Sequence, residues 1–322
     1  MILKLKSIIK SKLFLIPLAL TVVLVPLVIR LVKSDIYGYS MKYDPFHPKR
    51  HYQDLFLFHK GKILSVLATM TIAIVLVKGV IKKAQIIPAL LLGSLALLMT
   101  LSAFFSEYPD VVWKGTPPTF EGYNVLISYV IICFSIIVLV RDKYDIQFLA
   151  GALLVGATGV SFLALLELLN TDYLNSGFFK WFIYSNELNA KGVRTTAGPR
   201  FIKSTLYNSN YAGSYTCMLV FIASITFLYL KKKSHLILTL IVYALIFTFF
   251  IGTNSRASYL GVLFSFIVFL IFYRKKIKMN IKKMSIIAGV SLIMILFLNF
   301  QRGNFFIDNL IRTNSQIAGL NA

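Results

Sequence analysis

Negative charge is nearly missing from this chain: 12 acidic residues stand against 34 lysines and arginines, giving a formal net charge of +22. Cysteine is scarcer still, with 2 in 322 residues, and histidine occurs 4 times. Cys133 and Cys217 fall inside hydrophobic runs, where they act as small apolar residues, so a disulfide framework is excluded. His47, His51, His59 and His235 are scattered through loops without the spacing of a metal site, and neither a metal nor a cofactor is expected. Low-complexity tracts and repeats of solenoid length are both absent. Charged residues of both signs reach 14%, too few to coat an ordinary soluble domain.

What the chain has instead is apolar bulk, with 57% hydrophobic residues and a mean hydropathy of +0.76. A single water-soluble core cannot hide that surface, so the bilayer must be the solvent. Apolar windows of roughly 20 residues, enough to cross a hydrocarbon core of about 30 Å, recur along the whole length. They lie near 13–32, 62–81, 86–105, 122–140, 146–169, 206–230, 236–252, 257–273 and 284–300. Lipid leaves open backbone groups unsatisfied, and the runs are too long and uniformly apolar for barrel strands, so helices are expected. The expected fold is therefore all-α, a polytopic integral membrane protein of about nine transmembrane helices forming a single membrane domain, 1–322. The seventh and eighth windows are short, which leaves a re-entrant pair as the alternative there. The first run follows Lys4, Lys6, Lys10 and Lys12 but is too long for a cleavable signal peptide, and reads as a signal anchor.

Threading nine spans with the N-terminus in the cytoplasm puts the C-terminus outside and gathers the short basic loops within. Inside fall the N-terminal lysines, Lys78, Lys82, Lys83, Arg141, Lys143, Lys231–Lys233 and the cluster at 274–283, with Asp142 and Asp145 as the acids. That is the positive-inside pattern. The basic excess thus reports topology and attraction to anionic headgroups, and a nucleic-acid partner is not expected. Three outer segments are long, about 33–61, 106–121 and 170–205, with a C-terminal outer segment at 301–322. Loops of that length are commonly functional. The aromatic stretch "FFKWFIY", 178–184, suits a short helix at headgroup level, where Lys180 and Trp181 are at home.

Three constellations carry chemistry. "GTNSRAS" is the outer turn of a helical hairpin, with Gly252 ending one helix and Asn254 or Ser255 capping the next. Its arginine, Arg256, either snorkels to lipid phosphates or faces an outer cavity and grips an anion with its planar fork. "RFIKSTLYNSNYAGSY", 200–215, sets Arg194, Arg200 and Lys203 before Ser204, Thr205, Asn208 and Asn210, at a helix start whose N–H groups favour anions. Its bland reading is capping, followed by small residues for close helix packing. Glu121 opens a span, where it suits the helix dipole, pairs with an arginine or accepts a proton. Glu167 is a weaker candidate of the same kind.

In order and spacing, "SEYPDVVWKG…EG…LISY", "STLYNSNYAG" and "GTNSRASYLG" resemble the O-antigen ligase / polysaccharide polymerase superfamily, over roughly 100–273. The resemblance implies a multi-pass protein of the bacterial cytoplasmic membrane with its active face outward. It implies metal-independent glycosyl transfer of the GT-C type from an undecaprenyl-diphosphate-linked glycan to a glycan or lipid acceptor. Carried over by position, Arg256 is the diphosphate clamp and Arg200 a second cation, to which the residues' own chemistry adds Arg194 and Lys203 as diphosphate-binding candidates. Glu121 matches the family's Glu-Gly pair and is the second catalytic candidate, while Ser255, Thr205, Asn208 and Asn210 shape the site.

The chain departs from the family pattern at its end. Members of the family continue into another outer segment bearing an arginine and a candidate catalytic histidine. Here the sequence ends at "FFIDNLIRTNSQIAGLNA", with no histidine beyond His235. The expectation is a truncated form, or else use of the outer histidines of the first loop. Two other functions fit the spans alone. One is a transporter or flippase for lipid-linked oligosaccharide, which calls for polar or broken helices at midplane. The other is an inactive membrane scaffold.

Overall fold

The computed structural model describes residues 12–30, 32–34, 52–116, 119–171, 174, 176–183 and 202–301. Its architecture is helical apart from one two-stranded ribbon, in which β1 (Val32–Ser34) pairs antiparallel with β2 (Tyr52–Asp54). A 3-10 turn at Leu13–Leu15 leads into α1 (Ile16–Leu27). Then follow α2 (Phe58–Lys78), α3 (Ile86–Phe104), the short α4 (Pro109–Lys114) and α5 (Tyr123–Leu139). The rest of the chain forms α6 (Lys143–Leu168), the short α7 (Gly177–Ile183), α8 (Ser209–Tyr229), α9 (Lys233–Gly252), α10 (Arg256–Met279) and α11 (Ile281–Gln301).

Each of the nine apolar windows overlaps a helix, although the first extends past Leu27, where α1 ends, as far as β1. Among the described residues seven helices are long and apolar enough to cross a membrane, while Leu13–Leu27 and Tyr123–Leu139 are shorter. The pair expected to be short, α9 and α10, is long enough, with spans of 20 residues each. The reason is that helices continue past their apolar windows into charged ends. α9 starts at Lys233, three residues ahead of its window, and α10 runs on through Arg274 and Lys275. Length therefore gives no ground for a re-entrant pair.

The chain groups into two compact units, one of 1–156 with 174–194 and one of 157–173 with 195–322. The boundary falls within α6, which is continuous through it. In the first unit α2 packs against α1 and α5, and α3 lies along α5. Leu15, Leu18, Val75, Val138 and Leu139 form its buried apolar centre. Gly156 lets α6 approach α1 closely, since a Cβ there would lie 2.6 Å from the Val22 carbonyl oxygen. The small residues of "GALLVGATG" thus serve helix packing at Gly156, while Gly151 faces open space.

Each end of this unit has its own polar fastening. At one end Lys12 bonds to the buried Asp145 and lies 3.5 Å from Asp142. The Asp145 carboxylate also accepts from the Arg141 N–H at 2.8 Å, and the Arg141 guanidinium donates to the Lys78 carbonyl at 2.7 Å. The bond to Asp145, with both carboxylate charges, holds the Lys12 ammonium above the ordinary lysine range. At the other end Asp54 caps α2, accepting from Leu57 N–H at 2.8 Å and Phe58 N–H at 2.7 Å. There Gly115 and Gly122 meet backbone to backbone, with a Cβ on either falling within 2.5 Å of the other's nitrogen. Gly115 also has φ +74°, which only glycine adopts freely.

In the second unit α8 is central, packing on α9 and α10 and touching α11. One end is closed by Lys283, whose ammonium donates to the Leu230 carbonyl at 2.6 Å and the Leu228 carbonyl at 3.2 Å. These are the orphan carbonyls at the C-terminus of α8, where a cation also suits the dipole. The opposite end carries the candidate site.

Candidate functional site

The sequence "GTNSRAS" turns α9 into α10 within three residues. The helix stops at Gly252 because Ile202 packs flush against it; a Cβ at 252 would lie 2.5 Å from the Ile202 side chain. Ile202 N–H also bonds to the Gly252 carbonyl at 3.1 Å, which ties the incoming segment to the turn. Asn254 reverses the chain with φ +52°, a conformation asparagine tolerates better than most residues. Tyr259 then donates its hydroxyl back to the Ile251 carbonyl at 2.9 Å, fixing the first turn of α10 to the last turn of α9.

Ser255 is buried and does not cap α10 with its side chain. Its hydroxyl donates to Asn210 Oδ1 at 3.0 Å and accepts from the Ser258 hydroxyl at 2.9 Å. Gly213 makes this possible. A Cβ there would fall 2.3 Å from Ser258 Oγ and 2.7 Å from Ser255 Cβ, so α8 and α10 touch where one of them has no side chain. The two sequence motifs "NSNYAG" and "NSRAS" are therefore brought into direct contact through Asn210, Gly213, Ser255 and Ser258. Arg256, the first residue of α10, stands on this cluster. Its side chain is exposed, and among the described residues its guanidinium has no hydrogen bond or ion pair.

The segment before α8 is held from beneath. Glu167, near the end of α6 and 7% exposed, accepts from Ser204 N–H at 2.6 Å and Lys203 N–H at 3.3 Å. Ser204 sits at φ +53°, which is unusual for a residue with a Cβ, and its hydroxyl donates to the Val160 carbonyl at 2.7 Å. Asn208 is the N-cap of α8, accepting from Tyr211 N–H at 2.9 Å. Thr205 is fully buried. Several donors that the sequence offers to an anion are thus engaged within the protein: the backbone of 203 and 204 by Glu167, and the Ser204 and Ser255 hydroxyls by their own acceptors. Among the described residues the cation left uncommitted at this end is Arg256.

Glu121 lies in the first unit, just ahead of the Gly122 N-cap of α5. It is exposed, and the Tyr129 hydroxyl reaches it at 3.4 Å. Around it the aromatic cluster of Trp113 on Tyr123, 4.8 Å between centroids, and Phe58 on Phe120, 5.4 Å, gives the segment a fixed seat. Arg194 and Arg200 lie outside the described residues. Among the described residues no three His, Cys, Asp or Glu side chains converge as a metal site would need. Glu167 is the residue whose importance the sequence understated. An acid in the last turn of a long apolar helix was its signal, since such a group needs buried donors. Comparison with protein-family models, curated proteins and solved structures yields no match to this chain.

Proposed function

We propose that this multi-pass membrane protein is a glycosyltransferase of the O-antigen ligase or polysaccharide polymerase type. It would transfer an oligosaccharide from an undecaprenyl-diphosphate carrier to a glycan or lipid acceptor on the outer face of the bacterial cytoplasmic membrane. The observation that carries this reading is Arg256, an exposed guanidinium without a protein partner among the described residues. It is fixed at the start of α10 by the Asn210–Ser255–Ser258 hydrogen bonds. A cation so placed at a membrane boundary, on a rigid support, suits a lipid-borne diphosphate. The order of the three motifs supports the same reading.

In this reaction the bond between the anomeric carbon and the diphosphate oxygen breaks, and the acceptor hydroxyl oxygen bonds to that carbon. Negative charge grows on the departing diphosphate, where Arg256, with Lys203 and Arg200, would stabilise it. The acceptor's proton must leave to a general base as the new bond forms. Ser255, Asn208, Asn210 and Thr205 hold the segments that carry the cations.

The test is Arg256→Ala, assayed in cells by glycan chain length and ligation. The expected loss is about 10²-fold or more, the scale of removing one donor from a developing anion. Protein level and topology should be unchanged, because the side chain makes no described contact that the fold needs. Arg256→Lys keeps the charge but loses the fork, and should rescue poorly. Full product from the alanine variant would remove Arg256 as the clamp. Precursor trapped on the cytoplasmic side would instead mark a flippase.

A further inference from the structure

At the end of the first unit where α2 begins, several cations of the described residues stand close to one buried carboxylate, Asp54. Arg30 is tied there by its N–H to the Leu55 carbonyl at 3.1 Å, next to the β1–β2 ribbon. The first five residues of α2 then supply His59, Lys60 and Lys62. The charges of Arg30 and Lys62 both act on the His59 ring. Asp54 is the one carboxylate acting on His59 or Lys60 among the described residues. It is 3% exposed, with its oxygens taken by the N–H groups of Phe56, Leu57 and Phe58.

This arrangement works against the helix. Cations at a helix N-terminus oppose the dipole, and like charges in one turn repel. Asp54 already takes the N–H groups of Phe56, Leu57 and Phe58, so the side chains are the groups left to meet a ligand. Lys60 is buried at 7% exposure, whereas the Arg30 and Lys62 side chains are exposed and His59 is half-buried. Lys62 rests on the face of Phe58, 4.3 Å from the ring centroid, and Phe58 meets His59 edge-on at 5.4 Å. Among the described residues the Arg30 guanidinium has no side-chain hydrogen bond or ion pair. A membrane-boundary cluster of exposed cations such as Arg30 and Lys62 suits an anion supplied from outside the protein.

We infer that Arg30, His59 and Lys62 form a binding site for the phosphate group of an anionic lipid headgroup. The site stands apart from the residues assigned to glycosyl transfer and does not depend on that assignment. Its occupant neutralises the repulsion at the start of α2 and anchors the first unit to its leaflet. The lipid is favoured over free phosphate because α2 enters its apolar span directly after Lys62, which places acyl chains beside the cations.

The test uses the full chain purified in a neutral detergent, with thermal unfolding followed against added phosphatidylglycerol, an uncharged diacylglycerol, and inorganic phosphate. Phosphatidylglycerol should raise Tm, and diacylglycerol should not. Arg30→Gln and Lys62→Gln should each raise the half-saturating lipid concentration about fivefold, and the pair about 25-fold. Arg30→Lys and Lys62→Arg should respond as the wild type. Competition by millimolar inorganic phosphate would support recognition of the phosphate alone; no effect of it would support the lipid as source. If Arg30→Gln fails to fold, Lys62→Gln carries the test, since its side chain is exposed. The inference is overturned if the double variant responds like the wild type or if diacylglycerol stabilises equally. It is also overturned if Lys82→Gln, at the opposite end of the unit, loses the response to the same degree.

Discussion

Glu167 and Arg256 divide the work of charge at the candidate site, one buried and satisfied, the other exposed and open. Glu167 spends its carboxylate on the backbone N–H groups of 203 and 204, holding Ser204 in a conformation that side chains disfavour. Glu167→Ala should leave the buried Ser204 N–H unpaired. Hydrogen bonds to charged groups are worth about 1.5–3 kcal/mol, so the loss should appear as a lower Tm in detergent. Glu167→Gln, which keeps an acceptor without the charge, should fall between the two. Equal Tm for all three proteins would show that the segment holds its shape without this carboxylate. At this scale the sequence was partly legible. Arg256 announced itself because a cation between two apolar runs needs a reason, whereas Ser204, Thr205 and Ser255 looked alike as polar residues near a helix start. Hydroxyls bond in either direction, and only coordinates show that Ser255 serves Asn210 and Ser204 serves Val160.

Among elements, the contact of α8 with α10 matters most for the site. The helices meet at Gly213, and nothing larger fits without moving Ser255 or Ser258. Gly213→Val should push α10 away, break the bond of Ser255 to Asn210 and displace Arg256 without touching it. Overpacking of this kind costs about 1–3 kcal/mol. The expected result is a lower Tm together with loss of any activity that depends on Arg256. A variant with unchanged Tm and activity would show that the helices separate freely. Gly261, one helical step further on, is the control: a Cβ there meets Cys217 Sγ at 3.5 Å, an ordinary contact, so Gly261→Ala should be tolerated. Hydropathy located the helices well because lipid demands long apolar runs, but it misjudged their ends. α9 and α10 looked short since charged residues belong to the helix and not to the window. Likewise, pairing of β1 with β2 carried no periodic signal, since three residues are too few for alternation to be read.

For the chain as a whole, charge sets direction. In the first unit Lys12, Lys78, Lys82, Lys83, Arg141 and Lys143 belong to the helix ends joined by the bonds of Lys12 and Arg141. In the second, Lys231–Lys233, Lys282 and Lys283 gather where Lys283 closes α8. The positive-inside rule would assign each group to the cytoplasm, and each helix would then lead away from its basic end. Arg256 comes after the far end of α9, which begins at Lys233, and would face outward if that assignment holds. Cysteine labelling tests it directly, with Cys133 and Cys217 first replaced by Ala. In intact cells a membrane-impermeant maleimide should label Ala257→Cys and Thr171→Cys, both exposed, and should spare Ser234→Cys until the membrane is opened. The reverse pattern would put Arg256 on the cytoplasmic side. A carrier presenting its glycan outside could not then reach the guanidinium, and the transferase reading would fail at the scale of topology, however well the residues around Arg256 were arranged.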